Sequence, residues 1–278
     1  MNYLRYGFIS LIIVVCLLFA AGCTSTSSAP SAASTAAATP GASQPGILVY
    51  AGAGLQPALD EIGPAFTVQT GIPVQYNYAG GGALISQMNL TRKGDVFIPG
   101  STMDFKMAKM QGLVGNSTLV AYHVPVIVVQ KGNPKNITSL QDFARPGLKI
   151  ALGDVKATAI GQAGAQMFAK LNITDAVNQN VVTRTPTINE LTVIMNTGQA
   201  DASILTIDQY NSTTMDEIAI PANINDVMIT PIGATTFTTN ATAAQEFVDF
   251  VSSDQGKAIF AKHGFPIYPD PAYASVTP

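Results

Sequence analysis

The chain has 278 residues, of which 47% are hydrophobic and 11% charged, and its 14 basic and 17 acidic residues give a net charge of −3. That length suits one large domain or two lobes, and the mildly acidic balance gives no reason to expect nucleic acid as a partner. Two cysteines and two histidines speak against a disulfide framework and against a zinc or thiolate centre, and no cofactor is expected.

The first element is a targeting segment over 1–22. Arg5 is its only charge, and Phe8 to Phe19 is nearly continuous apolar sequence ending in Ala20-Ala21-Gly22-Cys23. A run this short followed by small residues reads as a secretory signal. With cysteine at the cleavage point it reads as a lipoprotein signal, Cys23 being the lipidation site. The alternative is an uncleaved N-terminal anchor, and both place the folded part outside the cell membrane. Thr24 to Pro45 holds almost only Ser, Thr, Ala, Pro and Gly, with no charge. Such a stretch cannot bury enough apolar surface to offset its ordering entropy, so 23–45 is expected to be a lipidated, flexible tether. Asn-x-Ser/Thr sequons at Asn89, Asn116, Asn136, Asn172, Asn211 and Asn240 fit a surface-exposed glycoprotein or a bias of composition.

Ile47-Leu48-Val49-Tyr50 predicts a buried strand, followed by a helix that spaces Leu55, Leu59, Ile62 and Phe66 on one face. Ile72 to Tyr78 predicts a second strand, with a short helix through Leu84, Ile85 and Met88. Asp95 to Ile98 predicts a third, ended by Pro99-Gly100, with a helix from Ser101. Leu119 to Gln130 is a long strand-like run broken by Pro125, long enough to cross between lobes. Further strands are expected at Leu148 to Leu152, Val181-Val182 and Ala202 to Thr206. Helices are expected from the small-residue stretch 157–165 to Leu171 and over Asn189 to Thr197, the latter capped by Thr187. Val227 to Ile232 reads as a return crossing, and Ala241 to Phe250 and Gln255 to His263 as closing helices.

The alternation of strand and helix implies an α/β fold with mostly parallel sheets. Two lobes are expected, one formed by 46–122 plus 227–278 and the other by 123–226, with two strand-like connections as the hinge. Ligands of open α/β sheets sit outside the carboxyl ends of strands. Five such ends converge: 51–55, 79–84, 99–102, 154–161 and 206–208. Two of them, Ala51-Gly52-Ala53-Gly54-Leu55 and Ala79-Gly80-Gly81-Gly82-Ala83-Leu84, are glycine-rich and bring no Lys, Ser or carboxylate. Bare amides at the start of helices suit a small ionised oxyanion that is held and not transformed. Ser86 and Ser203 have no His–Asp constellation nearby in sequence, so an enzyme is not expected. Asp154 reads as a turn residue, and His123 and His263 as structural.

The order and spacing of these loops, with Thr70-Gly71-Ile72-Pro73-Val74, Gly94-Asp95-Val96-Phe97-Ile98, Ile150-Ala151-Leu152-Gly153-Asp154, Gly198-Gln199-Ala200-Asp201-Ala202 and His263-Gly264-Phe265, resemble those of type II extracytoplasmic solute-binding proteins. More narrowly, the chain is similar to the molybdate/tungstate-binding components of ABC transporters. The resemblance covers nearly all of 46–268. It implies a periplasmic-binding-protein fold that captures an oxyanion by hinge closure and hands it to an ABC permease, with the protein a monomer. It implies donors at Gly54 and Gly81, where the family places serines, at Thr206, where it places a tyrosine, and at the amides of Ile160 and Ile188. Ala53 and Gly82 complete the two glycine loops, and Ser101, Thr102, Thr158, Arg184 and Thr187 are candidates to replace the missing hydroxyls. The other readings are a receptor for sulfate, phosphate or an organic carboxylate, and a non-transport sensor or surface module on the same fold.

Overall fold

The computed structural model describes residues 45–278; the expected signal segment, Cys23 and nearly all of the tether lie outside them. Strand β1, Ile47–Gly52, runs into a 3-10 turn at Ala53–Leu55 and then α1, Gln56–Thr70, which carries Pro57 in its first turn and stops at Gly71. Gly71 takes φ of 75°, a left-handed cap that glycine adopts without strain. Next come β2, Val74–Ala79, α2, Gly81–Thr91, β3, Val96–Ile98, and α3, Thr102–Met110.

The long apolar run then divides into β4, Thr118–His123, and β5, Pro125–Gln130. They are followed by β6, Ile150–Gly153, α4, Ala159–Lys170, α5, Thr174–Asn180, β7, Val181–Thr185, and α6, Ile188–Asn196. β8, Ala202–Thr206, β9, Met215–Ala219, and β10, Met228–Ala234, precede α7, Ala241–Ser252, and α8, Asp254–Lys262.

The strands form two five-stranded sheets, ordered β2-β1-β3-β10-β4 and β7-β6-β8-β5-β9. Each is mixed. β1 pairs in parallel with β2 and β3, and β6 with β7 and β8, as strand–helix alternation requires. β10 pairs antiparallel with β3 and β4, and β5 with β8 and β9. The antiparallel pairs include the strands that carry the chain out of one sheet and back, where direction must reverse. The sheets are therefore less uniformly parallel than the alternation suggests.

Only Val124 separates β4 in the first sheet from β5 in the second. The return is the irregular stretch 220–227, so β10 itself lies in the first sheet and is not the crossing. Each sheet has its own core. In the first, Phe66 meets Phe247 edge-on at 5.1 Å among Leu59, Ile62 and Phe260. In the second, Val128, Phe143, Leu152, Met167 and Leu191 are buried together. Each such side chain contributes about 1.5–3 kcal/mol by leaving water. No helix among the described residues is long and apolar enough to cross a membrane.

Candidate functional site

The two lobes meet over a small cavity of about 40 Å³, room for a few waters or one small ion. Four helical N-termini open onto it. They are the turn Ala53–Leu55 that continues into α1, and the starts of α2, α4 and α6; Gly52, Ala53, Gly54, Gly80, Gly81, Thr158, Ala159, Ile160, Thr187 and Ile188 line the wall. First-turn amides of a helix have no intrahelical acceptor, and the helix dipole adds partial positive charge at the same end.

The sequence builds these ends in two ways. In the second lobe, Thr158 and Thr187 cap α4 and α6: their Oγ atoms accept from the amides of Gly161 (3.0 Å) and Glu190 (3.2 Å). Each cap occupies the third amide of its helix and leaves the first two without an intrahelical acceptor, with Ala159, Ile160 and Ile188 on the cavity wall. In the first lobe, the turn at Ala53 and α2 have no side-chain cap, because Gly52 and Gly80 stand where a capping side chain would be. Their first amides therefore have no side-chain acceptor of their own.

Apart from His123, the lining contains no Asp, Glu, Lys, Arg or other titratable side chain. His123 ends β4 and is 5% exposed. Its ring stacks on Phe265 with centroids 5.3 Å apart. Burial pushes its imidazole below the ordinary value, opposed by the charge of Asp208. Burial pushes Asp208 the other way, opposed by the charge of His123 and by a hydrogen bond from Gln209 Nε2 (3.1 Å).

Of the residues singled out from sequence, Ala53, Gly54, Gly81, Thr158, Ile160, Ile188 and Thr187 lie together on this wall. Gly82, Ser101, Arg184 and Thr206 do not. The Gly82 amide donates to the carbonyl of Ala157 (3.3 Å), which spends it on closing the lobes together. Ser101 caps α3 and is held by Asp104, and with Thr102 it faces a separate surface depression. Arg184 points along the edge strand β7, where its guanidinium donates to Asn178 Oδ1 (2.7 Å) and to Gly153 O (3.4 Å). Thr206 is fully buried behind the wall. Asp154 is a turn residue, its Oδ1 accepting from the amides of Lys156 and Ala157.

His123 is the lining residue that sequence reasoning read as structural. Nothing local distinguishes it; it reaches the cavity because β4 ends where the chain crosses between sheets. His263 caps the C-terminus of α8 and pairs with Glu61 at 2.9 Å.

Packing explains why Gly54 and Gly81 carry no hydroxyl where the resemblance places serines. A Cβ on Gly54 would lie 2.9 Å from Ile188 Cγ2, and one on Gly81 would fall against the carboxylate of Asp104. That carboxylate is buried and accepts from Ser101 Oγ (3.1 Å) and Gln162 Nε2 (3.2 Å), and burial pushes it above the ordinary carboxylate value.

Comparison with known proteins agrees with this architecture. The family of bacterial extracellular solute-binding proteins, which are not enzymes, matches residues 47–266. The molybdate-binding protein ModA of Mycobacterium tuberculosis is 29% identical over 256 residues, 91% of this chain and 95% of the relative. A sulfate-binding protein of Synechococcus elongatus is 26% identical over 243 residues, 76% of this chain and 69% of the relative. Among solved structures, the sulfate-binding protein SubI of M. tuberculosis superposes with a TM-score of 0.74 at 21% identity, covering 84% of this chain and 90% of that one. The resemblance to molybdate-type type II binding proteins, drawn from loop order and spacing, is borne out by these matches. The chain therefore belongs to the bacterial extracellular solute-binding protein family, with the two-lobed type II fold.

Proposed function

We propose that this protein captures a small tetrahedral oxyanion, molybdate or tungstate, between its lobes and presents it to the permease of an ABC importer. The observation that carries this reading is the convergence of four helical N-termini on one cavity whose lining holds no carboxylate. A fully ionised oxyanion only accepts hydrogen bonds, and a ring of amides only donates them. A net charge of −3 gives no long-range attraction, so local geometry must supply the affinity. The ModA relative supports molybdate in particular. The 1–22 segment and Cys23 support a lipid anchor at the outer face of the cell membrane, with 23–45 as its tether. The presence of two separate sheets supports a division into lobes near 46–122 plus 227–278 and 123–226.

Calorimetric titration with molybdate, tungstate, sulfate and phosphate tests the ligand. Molybdate or tungstate is expected to bind with Kd below about 1 μM, roughly −8 kcal/mol. Tighter binding of sulfate would move the assignment to sulfate, a reading the sulfate-binding relative favours. Weak binding of all four would end the oxyanion reading.

A further inference from the structure

The cavity contains one side chain that can carry charge, and its hydrogen bonding is incomplete. His123 Nε2 is enclosed and has no hydrogen-bond partner among the described residues, and neither does Oδ1 of Asp208. Buried polar atoms are rarely left in this state, and one on a residue that lines a binding cavity calls for an explanation. The Nδ1–Cε1 edge of the ring faces the wall. A Cβ added to Gly100 would meet Nδ1 at 3.4 Å, and one added to Gly54 would meet Cε1 at 3.8 Å. Both glycines line the cavity. Nδ1 of the imidazole therefore looks toward the ligand position, while Nε2 is enclosed by protein.

Resting on the oxyanion reading, we propose that His123 is a ligand-contacting, specificity-setting residue that becomes an imidazolium when the anion enters. The proton comes from solvent or from Asp208 and adds to the ring nitrogen that lacks one; no other bond changes. Nδ1–H then donates to an anion oxygen, while Nε2 keeps the second proton and the charge of Asp208 favours the imidazolium. Without a ligand, the ring has lost water and gained no anion, so the neutral form is favoured. A bound dianion replaces that missing partner. Around the ring stand Gly54 and Gly100 of the cavity wall, Phe265 stacked on it, and Met228 opposite it on β10. Among the described residues, Asp208 is the titratable group whose charge is felt at the ring. The consequence is specificity by charge: a dianion draws the proton in, whereas a neutral ligand of the same size does not.

The chain has two histidines, so imidazole NMR reads both without ambiguity. The full chain is uniformly labelled with 15N and titrated between pH 5 and 8, without ligand and with saturating molybdate or sulfate. The His123 midpoint is expected to rise by at least about one pH unit on saturation, and that of His263 to stay in place. A one-unit rise corresponds by linkage to about tenfold tighter binding at the acid end of the range than at the alkaline end. In His123→Gln, which keeps a donor but does not titrate, that pH dependence is expected to disappear while the His263 signal remains native. Binding that leaves the His123 midpoint unmoved, or a His123→Gln protein with the wild-type affinity profile, overturns this inference alone. Absence of binding by every oxyanion overturns it together with the oxyanion reading.

Discussion

Gly81 shows most clearly how a single residue shapes the wall. A Cβ added there would fall against the Asp104 carboxylate, so a side chain fits only if that buried carboxylate gives way. Gly81→Ser is expected to lower oxyanion affinity at least about tenfold and to cost roughly 1–3 kcal/mol of stability through overpacking. Calorimetry and urea melts measure the two effects. Truncating the neighbour makes room, so Gly81→Ser with Asp104→Ala is expected to recover much of the loss. Additive losses would show that the contact is not the cause. Asp104 also makes a prediction about pH. Burial holds its carboxyl above the ordinary value of 3.8, so the folded protein keeps that proton more tightly than the unfolded chain does. Its contribution to stability is therefore greatest in acid and declines as pH rises from 3.8 through the raised folded value. Asp104→Asn removes the titration, so urea midpoints of the variant measured across pH 3 to 7 are expected to lack that decline. A parallel decline in variant and wild type would assign it to another group.

At the level of elements, the caps on α4 and α6 decide which amides are left for a ligand. Thr158 Oγ1 both accepts from the Gly161 amide and donates to the carbonyl of Asp154 (2.9 Å), which fixes the loop to the helix start. Thr158→Ala is expected to destabilise by about 1–2 kcal/mol and to weaken anion binding, with Thr158→Ser close to wild type. Equal denaturation midpoints for the alanine and serine variants would remove the cap from the account. These starts were legible in sequence because each follows a short apolar strand and carries its own turn chemistry. β9 was not: Met215-Asp216-Glu217-Ile218-Ala219 is an edge strand with charged outward positions, and only its pairing with β5 makes it a strand. α5 is seven polar-rich residues with no apolar stripe of its own. The side-chain donors were harder still. Arg184 and Ser101 offer suitable chemistry in the right loops or strands, but Arg184 is spent on Asn178 and Ser101 on its own helix. Which way such a side chain turns depends on neighbours far along the chain.

For the molecule as a whole, closure does not rest on the ligand alone. Three amide side chains of the second lobe reach into the first. Gln162 donates to Asp104 Oδ1 (3.2 Å), Asn189 to the carbonyl of Ala53 (3.1 Å) and Gln209 to the carbonyl of Gly54 (2.8 Å). The last two acceptors belong to the loop whose amides line the cavity, so closing the lobes also fixes the orientation of that loop. Each neutral hydrogen bond is worth about 0.5–1.5 kcal/mol net, so the three together favour the closed form by about 1.5–4.5 kcal/mol. That is roughly a tenfold to thousandfold bias in the opening equilibrium. A ligand that binds only the closed form gains apparent affinity in proportion to the fraction already closed. Replacing Gln162, Asn189 and Gln209 together by Ala is therefore expected to raise the ligand-free radius of gyration in small-angle X-ray scattering. The same protein is expected to return to the wild-type radius at saturating molybdate, with apparent Kd weakened by at least about tenfold. If the ligand-free radius and the Kd both stay at wild-type values, the three contacts are a consequence of closure and do not hold it.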